Sequence, residues 1–104
     1  MKKIENLKVV ENSLIAFLAR KKLGARNVAM VIGKKIYLSG VPKDVFLKDE
    51  QWLKHEMVHI EQFQRYGFWK FLLMYLWESW RKGYYNNKYE VEARERAGDH
   101  RQKS

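Results

Sequence analysis

The sequence predicts a single α+β domain in which a small β-hairpin lies between helices. Two runs rich in β-branched and aromatic residues, 28–32 and 35–39, flank Gly33 and Lys34, which is the pattern of a hairpin. The segments on either side carry apolar residues at helical spacing and stop at glycines. A chain of 104 residues that is 46% hydrophobic has room for one modest core, so we assign residues 1–104 to one domain.

The first helix is predicted within residues 11–24. Asn12 or Ser13 can cap its N-terminus, and Gly24 suits its C-terminal end. Its apolar face consists of Leu14, Ile15, Phe17, Leu18 and Leu23.

A second helix is predicted after the hairpin. Pro42 ends the hairpin, and the residues up to Leu47 are predicted to form a connection. Asp49 is a suitable N-cap for the helix that follows, which carries the sequence KHEMVHIEQ (54–62) and ends at Gly67.

A backing helix is predicted from Phe68 to about Lys82. It is apolar on nearly all sides, which is typical of a helix enclosed by protein. We expect it to be buried chiefly through Phe71, Leu72, Tyr75 and Leu76. The alternative is a role at a membrane surface, which Trp69, Trp77 and Trp80 beside lysine and arginine would suit. A turn at 83–87 then leads into a polar helix, 88–97, that ends at Gly98.

The composition narrows the classes of function. There are no cysteines, so disulfides and thiolate metal sites are excluded, and a metal must be held by histidine and carboxylate.

The N-terminus lacks an apolar signal-peptide core, so we expect a cytoplasmic protein. The densest apolar run, 68–77, is about half of a bilayer span and contains Lys70, so stable membrane insertion is not expected. The net charge of +9 suits anionic partners, but a solvated basic surface also accounts for it, and no nucleic acid is expected.

The segment KHEMVHIEQ places two histidines four residues apart. On an α-helix such positions differ by about 40° in azimuth and about 6 Å in rise, so His55 and His59 can point two imidazoles at one ion. Glu56 lies about 100° round from His55, close to such an ion without ligating it, where a base can activate water. The pattern predicts a zinc site that needs a third protein ligand.

The downstream sequence supplies candidates for that ligand. A three-histidine site would need glycine and histidine where this chain has Gln62 and Arg65, so that class is excluded. A glutamate on a later helix is the other solution, and YEVEARERA offers Glu90, Glu92 and Glu95. All three stay open, because the phase of that helix cannot be read from the sequence, and a salt-bridged solvated face also explains them.

Together, HEMVH and YEVEARERA resemble the paired motifs of the gluzincin metallopeptidases, whose downstream motif is Glu-x-x-(Ala or Ser)-Asp. The chain most resembles the minigluzincins, soluble prokaryotic proteins of about this size. These are similar to the catalytic core of integral-membrane CAAX-type and heat-shock metallopeptidases. The resemblance covers nearly the whole chain and implies a minimal zincin fold, with the order helix, small sheet, HExxH helix, backing helix and glutamate helix.

The resemblance implies one zinc per chain with three ligands, His55, His59 and Glu90. Glu56 would be the general base and acid, and Ala93 matches the small residue of the motif, which lets the two helices approach. Arg94 departs from the pattern, because it stands where the family often has an aspartate that orients a ligating histidine. An arginine cannot accept that hydrogen bond, so either another group does so or the site is less active.

The activity that the resemblance implies is hydrolysis of a peptide or protein substrate. Glu56 would move a proton from water to the leaving amine. A second oxyanion donor is expected among Tyr84, Tyr85 and Arg94. The strand at 35–40 is expected to be an edge strand that holds the substrate as an added strand.

The resemblance also implies a zymogen whose C-terminal segment blocks the cleft, in the same molecule or in a neighbour. Residues 98–104 are the candidate inhibitory tail, and Asp99 or His100 could enter the open zinc position. A solvated tail is the alternative. Blocking by a neighbour would be compatible with a homo-oligomer.

Two other functions stay open. One is a scaffold that binds zinc but is catalytically inactive. This alternative rests on Arg94, which stands where the family often has the orienting aspartate. The other is a basic nucleic-acid-binding module, which rests on the net charge alone and leaves HEMVH unexplained.

Overall fold

The fold is described by a computed structural model over residues 8–98, in which five helices pack around a three-stranded mixed sheet. The predicted α+β class is confirmed at this level. In chain order the elements are β1 (Lys8–Val10), α1 (Leu14–Leu23), β2 (Val28–Ile32), β3 (Lys35–Ser39), α2 (Lys43–Lys48), α3 (Glu50–Tyr66), α4 (Phe68–Lys82) and α5 (Lys88–Ala97).

The sheet has the strand order β1-β3-β2. β2 and β3 are antiparallel and form the predicted hairpin. Gly33 in its turn has a φ of +68°, which glycine adopts without steric cost. β1 runs parallel to β3, and the sequence does not predict it, because a strand of three residues carries no readable periodicity.

The prediction that residues 35–40 form an edge strand is wrong. β3 has β1 on one side and β2 on the other, so its backbone groups pair within the sheet. Within the part of the chain that the structure describes, β2 is an edge strand, and it packs against α3.

One hydrophobic core joins the sheet to α2 and α3. It contains Ala29, Ile36, Leu38, Phe46, Trp52 and Ile60. The rings of Phe46 and Trp52 meet edge to face, with centroids 5.1 Å apart. The connection predicted after Pro42 is instead the short helix α2, which brings Phe46 into this core.

The helix α3 begins and ends where the sequence predicts. The carboxylate of Asp49 accepts a hydrogen bond from the backbone N–H of Trp52 at 3.2 Å, and Gly67 follows the last helical residue. α5 packs along α3 with Ala93 and Ala97 buried. Their small side chains leave room for larger polar groups between the two helices.

The prediction that α4 is a buried helix is wrong. Phe71 is buried, but Leu72 and Tyr75 are only partly buried and Leu76 is 53% exposed. The helix is apolar all round, yet only its Phe71 side packs against the neighbouring aromatic residues of α3 and α5. In α1, likewise, Ala16 is the single buried residue. No helix among residues 8–98 is both long and apolar enough to cross a bilayer.

Candidate metal centre

His55 and His59 lie one turn apart on the buried side of α3. They are 1% and 3% exposed, and their ring centroids are 5.1 Å apart. The arrangement that the motif predicts is therefore present, with both imidazoles turned away from solvent.

Glu90 on α5 reaches both histidines. Its Oε1 lies 3.0 Å from His55 Nε2 and 3.2 Å from His59 Nε2, and the three ligand atoms all lie within 4.8 Å of one another. Atoms that sit about 2.0–2.1 Å from a tetrahedral ion are separated by roughly 3.4 Å, so this buried group has the dimensions of a ligand set. Of the three glutamates that the sequence leaves open, Glu90 is the one at the histidines, and the group could hold a metal ion.

The start of α5 sets the position of Glu90. Asn87 is fully buried, and its side-chain oxygen Oδ1 accepts a hydrogen bond from the backbone N–H of Tyr89 at 2.8 Å. Its amide group donates to the backbone oxygen of Tyr75 at 3.0 Å and to Ser79 Oγ at 2.8 Å. These bonds tie the first turn of α5 to α4 and fix the helix phase that the sequence leaves open.

Gln62 orients His59. The Gln62 amide donates to the backbone oxygen of Tyr89 at 3.2 Å and to Glu92 Oε1 at 2.8 Å, so its own oxygen faces His59 Nδ1 at 2.9 Å. His59 must then carry a proton on Nδ1 and point Nε2 at Glu90. This is the outer contact that a metal-ligating histidine normally has.

His55 has no comparable partner in the part of the chain that the structure describes. Its buried Nδ1 makes no hydrogen bond to any described residue. Arg94, which stands where the resemblance implies an orienting aspartate, donates to the backbone oxygen of Tyr85 at 2.7 Å, and its guanidinium lies 3.8 Å from the centroid of the Tyr85 ring. Arg94 therefore secures the turn before α5, and among the described residues the hydrogen-bond partner of His55 is at Nε2.

Tyr75 is a member of the site that sequence reasoning missed. Its hydroxyl donates a hydrogen bond to Glu90 Oε2, the oxygen that the histidines do not share. A tyrosine within the apolar run of α4 carries no signal of a polar role, so the sequence predicts only packing for it. Gln62 was missed as well, although its position three residues after His59 places it on the same side of α3.

The pKa values in the cluster are shifted in directions that favour attraction between Glu90 and the histidines. Burial alone would raise the pKa of Glu90, but the charges and hydrogen bonds of His59 and His55 lower it far below its usual value. Burial alone would lower the pKa of His59, whereas the Glu90 carboxylate raises it above its usual value. Burial, followed by the negative charge of Glu90, raises the pKa of Tyr75 well above its usual value. Glu90 is thus a carboxylate and Tyr75 a neutral hydrogen-bond donor.

Glu56 lies beside the ligand group and is not one of its members. It is fully buried, and its negative charge contributes to the raised pKa of Tyr75. Glu56 is therefore close enough to Tyr75 to interact with it electrostatically. A carboxylate next to a metal site, but outside the ligand set, is placed where a base can act on water.

A cavity of about 520 Å³ lies between α1, β2 and α4 and reaches the cluster. Its polar end is lined by His59, Tyr75, Tyr84 and Glu90, and its other walls are mostly apolar. Of the three predicted oxyanion donors, Tyr84 lines this cavity, whereas Tyr85 and Arg94 contact each other outside it.

The predicted tail ligands, Asp99 and His100, lie outside the described residues. No protein-family model, curated protein or solved structure matches this chain.

Proposed function

We propose that this protein is a zinc-dependent metallopeptidase of the gluzincin type. The observation that carries the proposal is the buried group of His55, His59 and Glu90, with its ligand atoms within 4.8 Å of one another. Two imidazoles and one carboxylate are a donor set that suits zinc, and three protein ligands leave the fourth position open for chemistry.

The burial of this group favours a functional role over a structural one. His55, His59 and Glu90 are each at most 3% exposed, and Glu56 beside them is fully buried. Withdrawing charged and polar groups from water costs free energy that hydrogen bonds recover only in part. A small domain gains little stability from such a cluster, whereas a metal centre requires one.

Zinc supplies Lewis acidity, which polarises a carbonyl group and makes water more acidic. In the proposed reaction Glu56 takes a proton from the attacking water and passes it to the leaving nitrogen of the peptide bond. Tyr84, on the wall of the cavity, is the proposed donor to the oxyanion. Gln62 and Tyr75 hold His59 and Glu90 in fixed orientations, so that the ligands need not reorganise.

The proposed substrate is a peptide or an extended segment of a protein that binds in the cavity beside β2. Among residues 8–98 this strand is an edge strand, and Val28, Met30 and Val31 from it line the cavity. An extended peptide can pair with the free backbone groups of such an edge, while its side chains enter apolar pockets. β2 thus replaces the strand at 35–40 in the proposed mode of substrate binding.

The resemblance to the minigluzincins extends the proposal to latency. In this hypothesis Asp99 or His100 of the tail occupies the open position of the metal until the tail is displaced. Deletion from Asp99 onward is expected to raise activity on an unstructured protein substrate, compared with the full chain at equal zinc occupancy. Unchanged activity in a folded truncation would remove latency from the proposal.

The proposal is tested by metal analysis together with Glu56→Gln. We expect one zinc per purified chain, and full zinc but no hydrolysis of an unstructured protein in Glu56→Gln, because Glu56 handles protons and is not a ligand. Glu61→Gln, at an exposed position of the same helix, should keep both. A wild-type chain that does not bind zinc would overturn the proposed function, and loss of zinc in Glu56→Gln would overturn the mechanism.

A zinc-binding but inactive scaffold is the second candidate. The observation in its favour is that His55 Nδ1 has no outer partner among residues 8–98, since Arg94 contacts Tyr85 and not the histidine. Full zinc occupancy without hydrolysis, in both the full chain and the chain truncated at Asp99, would favour this candidate.

A further inference from the structure

Helices α1 and α4 line the same cavity, and both carry exposed apolar side chains, which together we call the α1–α4 face. On α4 the residues concerned are Trp69, Leu73, Leu76, Trp77 and Trp80, which are between 53% and 78% exposed. At about 100° per residue they fall within an arc of roughly 100° opposite the buried Phe71. On α1, Leu14, Ile15, Leu18 and Leu23 are between 40% and 70% exposed. Concentrations of exposed apolar side chains on this scale mark interaction sites.

The two helices that carry this face are also strongly basic. Their charged side chains are Arg20, Lys21, Lys22, Lys70, Arg81 and Lys82, with Glu78 as the single acid. Glu78 is buried and lies 3.6 Å from Arg81 and 3.7 Å from Lys82, so it presents no negative charge to the outside. The exposed carboxylates of Glu61 and Glu95 belong to α3 and α5.

The combination of charge and aromatic residues decides which occupant fits the face. A two-fold symmetric dimer through it would bring two basic surfaces together, which opposes association. An anionic surface is favoured instead. Tryptophan prefers the boundary between hydrocarbon and water, and lysine and arginine can reach from an apolar helix face to lipid headgroups.

We propose that the α1–α4 face docks the protein on the surface of anionic lipid bilayers. The tryptophan and leucine side chains enter the headgroup and upper acyl region, and lysine and arginine side chains of the two helices, such as the exposed Lys70, contact lipid phosphates. Docking of this kind is peripheral and reversible, because the helices lie in the plane of the interface.

The cavity opens on the side that would meet the lipid. Leu18, Leu23 and Leu76 belong to the α1–α4 face and also line the cavity that reaches His59 and Glu90. Docking would therefore place the apolar mouth of the cavity at the bilayer surface. The docking itself does not depend on catalysis, so it holds or fails separately from the proposed peptidase activity.

The experiment is cosedimentation of the full chain with phosphatidylcholine vesicles, with and without phosphatidylglycerol. We expect strong binding only with the anionic lipid, a blue shift of tryptophan fluorescence, and quenching by lipids brominated on their acyl chains. Trp77→Ser/Trp80→Ser should lose at least about tenfold in partitioning. Lys70→Glu should lose about fivefold or more, because each cation near such a surface contributes about 1 kcal/mol.

Matched control variants distinguish docking through the α1–α4 face from nonspecific binding to vesicles. Val45→Ser, at an exposed apolar position of α2, and Lys48→Glu, on the same helix, should leave partitioning unchanged. Failure to bind vesicles, equal binding to neutral and anionic vesicles, or binding unaffected by the tryptophan changes would each overturn the proposal. So would a stable dimer in sedimentation velocity that the tryptophan changes dissociate, because the face would then bind a second copy.

Discussion

The contact between α3 and α5 and the outer side of α4 distribute polarity in opposite ways. Between α3 and α5 the buried side chains include two histidines, two glutamates and Gln62. On the outer side of α4, tryptophan and leucine side chains are exposed. Each region inverts the usual arrangement, in which apolar groups are buried and polar groups are solvated.

The two regions differ in whether contacts within the described residues offset the free-energy cost of this unusual arrangement. The polar groups between α3 and α5 are held by hydrogen bonds, and their pKa values shift toward charged states that attract one another. The apolar groups outside α4 have no compensation among the described residues. The first region is therefore stabilised by contacts among the described residues, whereas the second is not covered by any of them.

The largest expected effect on stability is at Phe71, on the buried inner side of α4. Phe71 is 1% exposed and packs edge to face on Phe63 and Tyr89, with ring centroids 4.7 Å and 5.1 Å away. Phe71→Ala should lower the free energy of unfolding by about 3–5 kcal/mol, because it removes a ring from a packed cluster. Urea denaturation measures this, and a loss below about 1 kcal/mol would contradict the assignment of the core.

The next effect tests whether the polar contact between α3 and α5 is a metal centre. Glu90→Ala should weaken zinc binding by more than about 100-fold, beyond the range seen when an outer partner of a ligand is removed. Competition with a chromogenic chelator measures the affinity. Glu95→Ala, at an exposed position of α5, is the control and should bind zinc normally. If Glu92→Ala lost zinc while Glu90→Ala kept it, the ligand assignment would be wrong.

A smaller loss of zinc affinity is expected at Gln62. Gln62→Leu keeps the volume of the side chain but removes the acceptor for His59 Nδ1, so zinc affinity should fall by about 10–100-fold. Gln64→Leu, on the exposed side of the same helix, should not change it. Unchanged affinity in a folded Gln62→Leu protein would show that packing alone orients His59.

The smallest expected effect is at the outer side of α4. Trp80 is 78% exposed, so Trp80→Ser should change the free energy of unfolding of the lipid-free protein by no more than about 0.5 kcal/mol. Together with Phe71→Ala it forms a matched pair of aromatic truncations on one helix. A loss at Trp80 comparable to that at Phe71 would mean that the outer face packs on a part of the protein beyond residues 8–98.

Local signals made the helix boundaries and the histidine pair predictable. The cap at Asp49, the stops at Gly67 and Gly98 and the spacing of His55 and His59 each depend on residues within one or two helical turns. The hairpin was predictable for the same reason, since its turn residues lie between its strands.

Features that depend on distant contacts were not predictable. The choice of Glu90 over Glu92 and Glu95 depends on how α5 packs on α3 and on the hydrogen bonds of Asn87 to α4. The burial of α4 was wrongly predicted, because an apolar pattern shows what a helix can bury and not whether a neighbour is there to cover it.

The helix α4 joins the two regions that differ so much in polarity. Through the hydroxyl of Tyr75 it holds Glu90, and through the backbone oxygen of the same residue it holds Asn87, the cap of the helix that carries Glu90. A displacement of α4 by a fraction of an ångström would strain both bonds at once. By thermodynamic linkage, if a metal at His55, His59 and Glu90 and a ligand of the outer side each preferred one position of α4, each would change the affinity for the other by the same factor.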